Sequence, residues 1–170
     1  MLHSEAERER DRRFMEEALR QAALAAQEGE VPVGAVVTRG DELIAVGRNR
    51  RESGKSALAH AELQAIEGAC RRLGGWRLWE CTLYVTLEPC PMCAGAIINA
   101  RIQRLVYGAK DEKAGSAGSV VDLFALPYNH RPQITSGVME EECAGILRVF
   151  FARLREKRKN QPKRWKKPQA

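Results

Sequence analysis

The sequence predicts an α/β sandwich around a mixed sheet, and three observations carry that prediction. A chain of 170 residues suits one compact domain with a core of its own. Hydrophobic residues make up 44% and charged residues 29%, the balance of a globular protein rather than a disordered one. The apolar periodicity runs helix, two strands, then helix alternating with strand, and no internal repeat interrupts it.

Over residues 11–27, Phe14, Ala18, Leu19, Ala22 and Ala26 recur at helical spacing and Gly29 supplies a stop, so the first element is an amphipathic helix. Residues 33–37 and 43–46 are apolar runs rich in β-branched side chains. The Arg39-Gly40-Asp41-Glu42 turn between them predicts a hairpin. A second helix spans 60–73 on Leu63, Ile66, Cys70 and Leu73, closed by Gly74-Gly75. Residues 81–87 read as a buried strand and 91–100 as a short helix opened by Pro91. Strands are expected at 105–107 and, at an edge, 134–135, before a long last helix over 140–159. The glycine-bearing stretch 109–118 lacks the phosphate-loop pattern and reads as a mobile connector.

The net charge of +6 is unevenly spread. Residues 153–170 hold nine Lys/Arg against the single acid Glu156, while the rest of the chain sets nineteen against twenty-one. The basic C-terminal stretch, with Trp165 set among Lys163, Arg164, Lys166 and Lys167, therefore points to a polyanionic partner; a solubilising tail is the alternative. The chain divides as a domain over 1–155 and a basic tail over 156–170, expected to finish the last helix and then lose order. The longest uncharged stretch, 89–100, is twelve residues, short of the ~20 that span a bilayer, so no membrane partner is expected. No basic segment followed by an apolar one opens the chain, so a cytoplasmic location is expected. In that reducing compartment five cysteines argue for thiol or metal chemistry over a disulfide framework.

Two motifs concentrate the chemistry: His60-Ala61-Glu62 and Pro89-Cys90-Pro91-Met92-Cys93, each at the start of a helix. Three helical steps bring two side chains within ~60° of each other, so Cys90 and Cys93 can hold one ion. With Pro91 as the first helical residue, Cys90 is the N-cap and Cys93 lies in the first turn, where free N–H groups favour thiolates. A redox dithiol is the rival for any Cys-x-x-Cys. His60 as a third ligand favours zinc, and three protein ligands without a fourth describe a catalytic site with an open position. Cys70, Cys81 and Cys143 sit on apolar faces and read as small core hydrophobes. Glu62 lies about 200° around the helix from His60, able to stand beside a metal without ligating it and to work as a general acid and base.

H-x-E followed by P-C-x-x-C resembles the signature of the zinc nucleobase deaminases. The likeness extends to Glu30-Val31-Pro32-Val33-Gly34-Ala35-Val36, Gly47-Arg48-Asn49, Thr82 through Ala96, Tyr107-Gly108-Ala109-Lys110-Asp111, Ala114 through Ser119 and Phe150-Phe151. Over roughly 14–155 the chain is similar to the bacterial tRNA-specific adenosine deaminases. That resemblance implies the cytidine deaminase-like form of the fold, a three-layer α/β/α sandwich with about five strands. It implies conversion of adenosine to inosine at the anticodon wobble position, one Zn2+ per subunit on His60, Cys90 and Cys93, and Glu62 as the proton carrier. It further implies that Asn49 contacts the flipped base, that backbone near Ala61 and Cys90 holds the reacting centre, and that Val33, Asp111, Asn129, Phe150 and Phe151 line a groove for the tRNA anticodon stem-loop in a homodimer. At least one of the two phenylalanines is expected in the core. Ala152 departs from the family, in which a basic residue often follows the Phe pair; Arg153 and Arg155 lie close by. Two rivals share the zinc motif: a deaminase of a free base or nucleotide (cytosine, guanine or dCMP), and a zinc-stabilised RNA-binding module without catalysis.

Overall fold

The computed structural model describes residues 4–160. Its elements are α1 (Glu5–Gln27), β1 (Gly34–Arg39), β2 (Glu42–Arg48), α2 (Ala61–Leu73), β3 (Cys81–Leu87), α3 (Pro91–Asn99), β4 (Arg104–Ala109), a 3-10 turn (Leu123–Ala125), β5 (Gln133–Ser136) and α4 (Glu140–Lys159). Every expected element is present. The first helix begins six residues earlier than its apolar spacing predicts, because Ser4 and Glu7 form a reciprocal capping box. That first turn carries charge rather than an apolar stripe, so periodicity gives no sign of it.

The sheet order is β2-β1-β3-β4-β5. β1 is antiparallel to both β2 and β3, whereas β3–β4 and β4–β5 are parallel, so the sheet is mixed as predicted. Alternation along the strands divides the core between two faces. Ala35, Val37, Leu83, Val85, Leu105 and Tyr107 meet Ala65, Ile66, Ala94 and Ile97 of α2 and α3. Val36, Tyr84 and Val106 meet Phe14, Met15 and Ala18 of α1 and Cys143 of α4. The result is the three-layer α/β/α sandwich with five strands.

Two features fix the layers. Gly47 is required where β2 passes under α2, since a Cβ there would lie 2.1 Å from the Ala61 carbonyl oxygen. On the other face, buried Asp11 of α1 accepts two bonds from Arg104 of β4, at 2.6 and 2.8 Å, and one from the Tyr84 hydroxyl at 3.1 Å. Burial, followed by the neighbouring Asp11 carboxylate, pushes the Tyr84 hydroxyl well above its ordinary pKa and keeps it a donor.

Of the basic tail, residues 156–159 complete α4. Asn160 caps that helix, and residues 161–170 lie outside the described residues. Among the described residues no helix is long and apolar enough to cross a membrane.

Candidate active site

The strand directions bring six chain segments to one end of the sheet. β3 and β4 finish there at Leu87 and Ala109, β2 finishes at Arg48, β1 starts at Gly34, and α2 and α3 begin just beyond. The ends of parallel strands are where open α/β sheets bind ligands. A cavity of about 220 Å³ opens at this place, lined by Val33, Asn49, Arg51, His60, Ala61, Glu62, Glu88, Cys90, Asp111 and neighbours.

His60 is the N-cap of α2 and Cys90 the N-cap of α3, with Pro91 opening that helix. The ligand atoms of His60, Cys90 and Cys93 all lie within 4.8 Å of one another. His60 Nδ1 is 3.6 Å from Cys90 Sγ and 3.5 Å from Cys93 Sγ. Tetrahedral zinc, with Zn–S of about 2.3 Å and Zn–N of about 2.0 Å, separates sulfur from nitrogen by about 3.5 Å, so the three side chains fit that ion. A hydrogen bond from Cys93, supported by His60, pulls the Cys90 thiol down to about 4. The same bond pushes Cys93 up. Cys90 is thus a ready thiolate at a helix N-terminus, and Cys93 carries the proton that a cation would displace.

Glu62, 4% exposed, stands in the first turn of α2 beside these groups. Burial raises its carboxyl to about 7, against the opposing pull of its own backbone N–H and of His60. A carboxyl poised near neutrality is suited to take up and return a proton.

Four further expected residues meet at the cavity: Val33, Asn49, Ala61 and Asp111 line it. Asn49 also braces the wall, its Nδ2 donating to the Val31 carbonyl at 3.2 Å and its backbone N–H to Val33 at 3.0 Å. Asn129 is not brought to this place. It is exposed on the segment entering β5, whose first residue pairs with Arg104 at the other end of the sheet. Phe150 lines a separate hollow with Ala26, Gly29, Arg153 and Lys157, at the end of α1. Neither phenylalanine is in the core: Phe150 is half-buried and Phe151 is 39% exposed. The expectation of a core phenylalanine fails because α4 packs on the sheet through Cys143, and its later turns lean on α1 instead. Cys81 and Cys143 are buried as expected, and half-buried Cys70 packs at the edge of the core that holds Cys81.

The sequence reading missed the acids that shape the walls, Glu30 and Glu88, which are 1% and 2% exposed. The 109–118 stretch is not the mobile connector that its glycines predict. That segment is tied down: Glu88 Oε2 accepts from the Asp111 N–H at 3.0 Å, and Oε1 from the N–H groups of Ala117 and Ser119 at 2.9 and 3.1 Å. The sequence signal for it was an acid placed directly between an apolar strand and the Pro89-Cys90 step.

The chain matches the MafB19-like deaminase family over residues 9–155. It is 48% identical over 150 residues to a tRNA-specific adenosine deaminase of Bacillus subtilis strain 168, covering 88% of this chain and 93% of that one. A solved structure from a study of A-to-I editing by tRNA:A34 deaminases at the wobble position of transfer RNA superposes with a TM-score of 0.77 at 48% identity, covering 79% of this chain and 99% of that one. The guanine deaminase of Nitrosomonas europaea is more distant, with a TM-score of 0.69 at 25% identity, covering 83% of this chain and 84% of the other. A five-stranded mixed sheet between helices, a zinc-sized ligand set and near-half identity along most of both chains agree: the protein belongs to the tRNA-specific adenosine deaminase family.

Proposed function

We propose that the protein hydrolyses adenosine to inosine at the anticodon wobble position, position 34 of tRNA, releasing ammonia. The observation that carries this reading is the buried Glu62 carboxyl beside the His60, Cys90 and Cys93 ligand set, on the wall of a cavity of about 220 Å³. A cavity of that size takes a single small group, which suits one base turned out of an RNA loop.

His60, Cys90 and Cys93 hold one zinc ion per subunit, which when bound lowers the pKa of water at the site towards neutrality. Glu62 accepts a proton from the attacking water and delivers it to N1 of the purine as the water oxygen bonds to C6. It then carries a second proton to the departing amino group, so that water is consumed and ammonia leaves. Asn49, Val33 and the backbone at Ala61 hold the base, while Asp111 contacts the RNA at the rim. Phe150, Phe151, Arg153 and Lys157 extend the binding surface along α4, where aromatic faces stack on splayed bases and cations meet phosphates.

The enzyme works in the cytoplasm as a homodimer. Exposed Leu58, Trp76, Trp79, Val120 and Tyr128 give apolar area for a second subunit. Asn129, remote from the cavity of its own chain, suits a groove completed by that subunit. The domain extends over 1–155 and the basic tail over 156–170, with α4 bridging the two.

The test offers purified protein an anticodon stem-loop carrying wobble adenosine and, separately, free cytosine, guanine and dCMP. Inosine formation in the stem-loop is expected. Turnover of the free compounds alone would replace this reading with that of a small-molecule deaminase. A Glu62→Gln variant that keeps zinc is expected to lose at least about 10²-fold in rate. Retained wild-type rate would remove Glu62 as the proton carrier, whereas zinc-loaded wild type that binds the stem-loop and forms no inosine would leave only a zinc-stabilised binding module.

A further inference from the structure

Glu88 lies between β3 and the N-cap of α3, 2% exposed, and its position suggests a ligand. It is not one of the three ligand-bearing side chains, and its carboxylate is committed elsewhere. Four donors from a single later segment converge on it: the N–H groups of Asp111, Ala117 and Ser119, and the Ser119 hydroxyl. The partners lie 23 to 31 residues away in sequence, and the segment between them wraps the carboxylate. Gly115 is placed at the centre of the wrap, where a Cβ would come within 2.4 Å of Glu88 Oε2 and of the Asp111 carbonyl oxygen. A further bond, from the Ser116 N–H to the Pro89 carbonyl at 2.9 Å, joins the same segment to the residue next to Cys90.

This arrangement needs an acceptor with two oxygens and no donor. Both carboxylate oxygens receive two hydrogens, so an amide in place of the carboxylate would set its NH2 against at least one backbone N–H whichever way it is turned. Asp111, the rim residue of this wall, is held at both ends of its own geometry. Its N–H is bonded to Glu88, and its Oδ1 accepts from the N–H groups of Lys113 and Ala114 at 3.0 and 3.3 Å. The part of the cavity wall formed by residues 111–119 is therefore built on one buried carboxylate.

We propose that Glu88 is a positioning residue for RNA recognition: by gathering residues 111–119 it fixes Asp111 at the rim of the cavity and so sets how tightly the RNA loop is held. It touches neither substrate nor metal. The proposal rests on the function proposed above and adds to it a residue whose effect falls on binding more than on chemistry.

The experiment compares wild type, Glu88→Gln, Asp111→Ala and the double variant as zinc-loaded proteins, with the wobble-adenosine stem-loop as substrate. Glu88→Gln is expected to raise KM about tenfold while lowering kcat less than about threefold. On the Asp111→Ala background the same change should raise KM by less than about twofold, since residues acting through one another are not additive. Amide hydrogen exchange without RNA should accelerate at Asp111, Ala117 and Ser119 and not in the sheet. A wild-type KM, a loss confined to kcat, or an equal KM effect on both backgrounds would overturn the proposal. If Glu88→Gln does not fold, Ser119→Ala removes one donor; a KM rise of about twofold with faster exchange at Ala117 supports the proposal, and wild-type values for both overturn it. A wild type that leaves the stem-loop unchanged overturns the proposed function as well, whereas an active wild type beside an indistinguishable Glu88→Gln variant overturns this inference alone.

Discussion

The two sides of the cavity are built by different means. On one side His60, Glu62, Cys90 and Cys93 occupy the first turns or N-caps of two helices that are packed on the sheet. On the other, residues 50–55 and 111–119 are irregular segments, each gathered around a buried carboxylate: Glu30 for the first, Glu88 for the second. The difference separates tasks. The groups proposed to meet one ion and one reacting carbon are held by regular elements, where angular error is small. The groups proposed to meet a variable, flexible substrate are held by loops, whose form depends on a few polar contacts.

The largest expected effect breaks the helical side. Cys93→Ala removes a proposed ligand whose side chain is wholly buried, so zinc content by atomic absorption should fall towards zero and deamination with it. Circular dichroism should retain most of the helix and sheet signal, because α2 and α3 bury Ile66, Ala94 and Ile97 independently of the metal. A variant that keeps one zinc per chain would show that another residue completes the ligand set. Chelation of the wild type should reproduce the loss, and added Zn2+ should reverse it.

A smaller effect is expected from the loop side. Gly115→Ala places a methyl group where Glu88 and the Asp111 carbonyl already stand, so the 111–119 segment must shift while the ligand set is untouched. Zinc stoichiometry should be that of wild type, with stem-loop affinity lowered about tenfold. Equal loss of zinc and affinity would mean that the two sides are one cooperative unit, and the comparison would fail.

This division also explains what the sequence made legible. The Cys90 and Cys93 pair, and the placing of His60 and Glu62 at a helix start, follow from helix geometry over three or four residues, which a linear reading captures. The strands followed from β-branched runs bounded by turns, and the mixed sheet from their order. The stapling of 111–119 by Glu88 depends on partners more than twenty residues apart, with no periodicity to announce it. The early start of α1 and the outward turn of Phe150 and Phe151 have the same cause: a capping pair in one case and the run of α4 past the sheet in the other, neither of which is an apolar pattern.

Glu30 gives a pH-dependent version of the loop effect. Burial pushes its carboxyl up, but the N–H groups of Ser53 and Glu52 outweigh that and hold it below the usual carboxylate range. A carboxyl lowered on folding stabilises the native state above its unfolded pKa of about 4.3, and that contribution disappears as pH falls through the folded value. Denaturant unfolding at pH 7 should show Glu30→Gln less stable than wild type by about 1–3 kcal/mol, the cost of leaving buried donors unsatisfied. The gap should narrow below about pH 4. A gap that is constant from pH 7 to pH 3.5 would assign the effect to packing rather than to the charged acceptor.

The smallest effect concerns the basic end of the chain, which lies beyond both sides of the cavity. Arg153 and Lys157 border the hollow at the end of α1, together with Gly29, the residue before Glu30 of the cavity wall. Arg153 and Lys157 of α4 therefore lie at the cavity's end of the sheet, where an RNA loop entering it would bring its phosphates. Truncation after Arg155 removes Lys157, Arg158 and Lys159 of α4 along with Lys163, Arg164, Lys166 and Lys167. Counterion release predicts that the slope of log affinity against log salt flattens by about 0.7–0.9 for each phosphate left without its cation, and that full-length and truncated proteins converge in affinity at high salt. Zinc content and kcat at saturating stem-loop should be unchanged, since none of the described residues 156–160 belongs to the His60, Cys90 and Cys93 group. Identical slopes for the two proteins would confine the tail to solubility and leave the whole of RNA recognition to the loops that Glu30 and Glu88 hold.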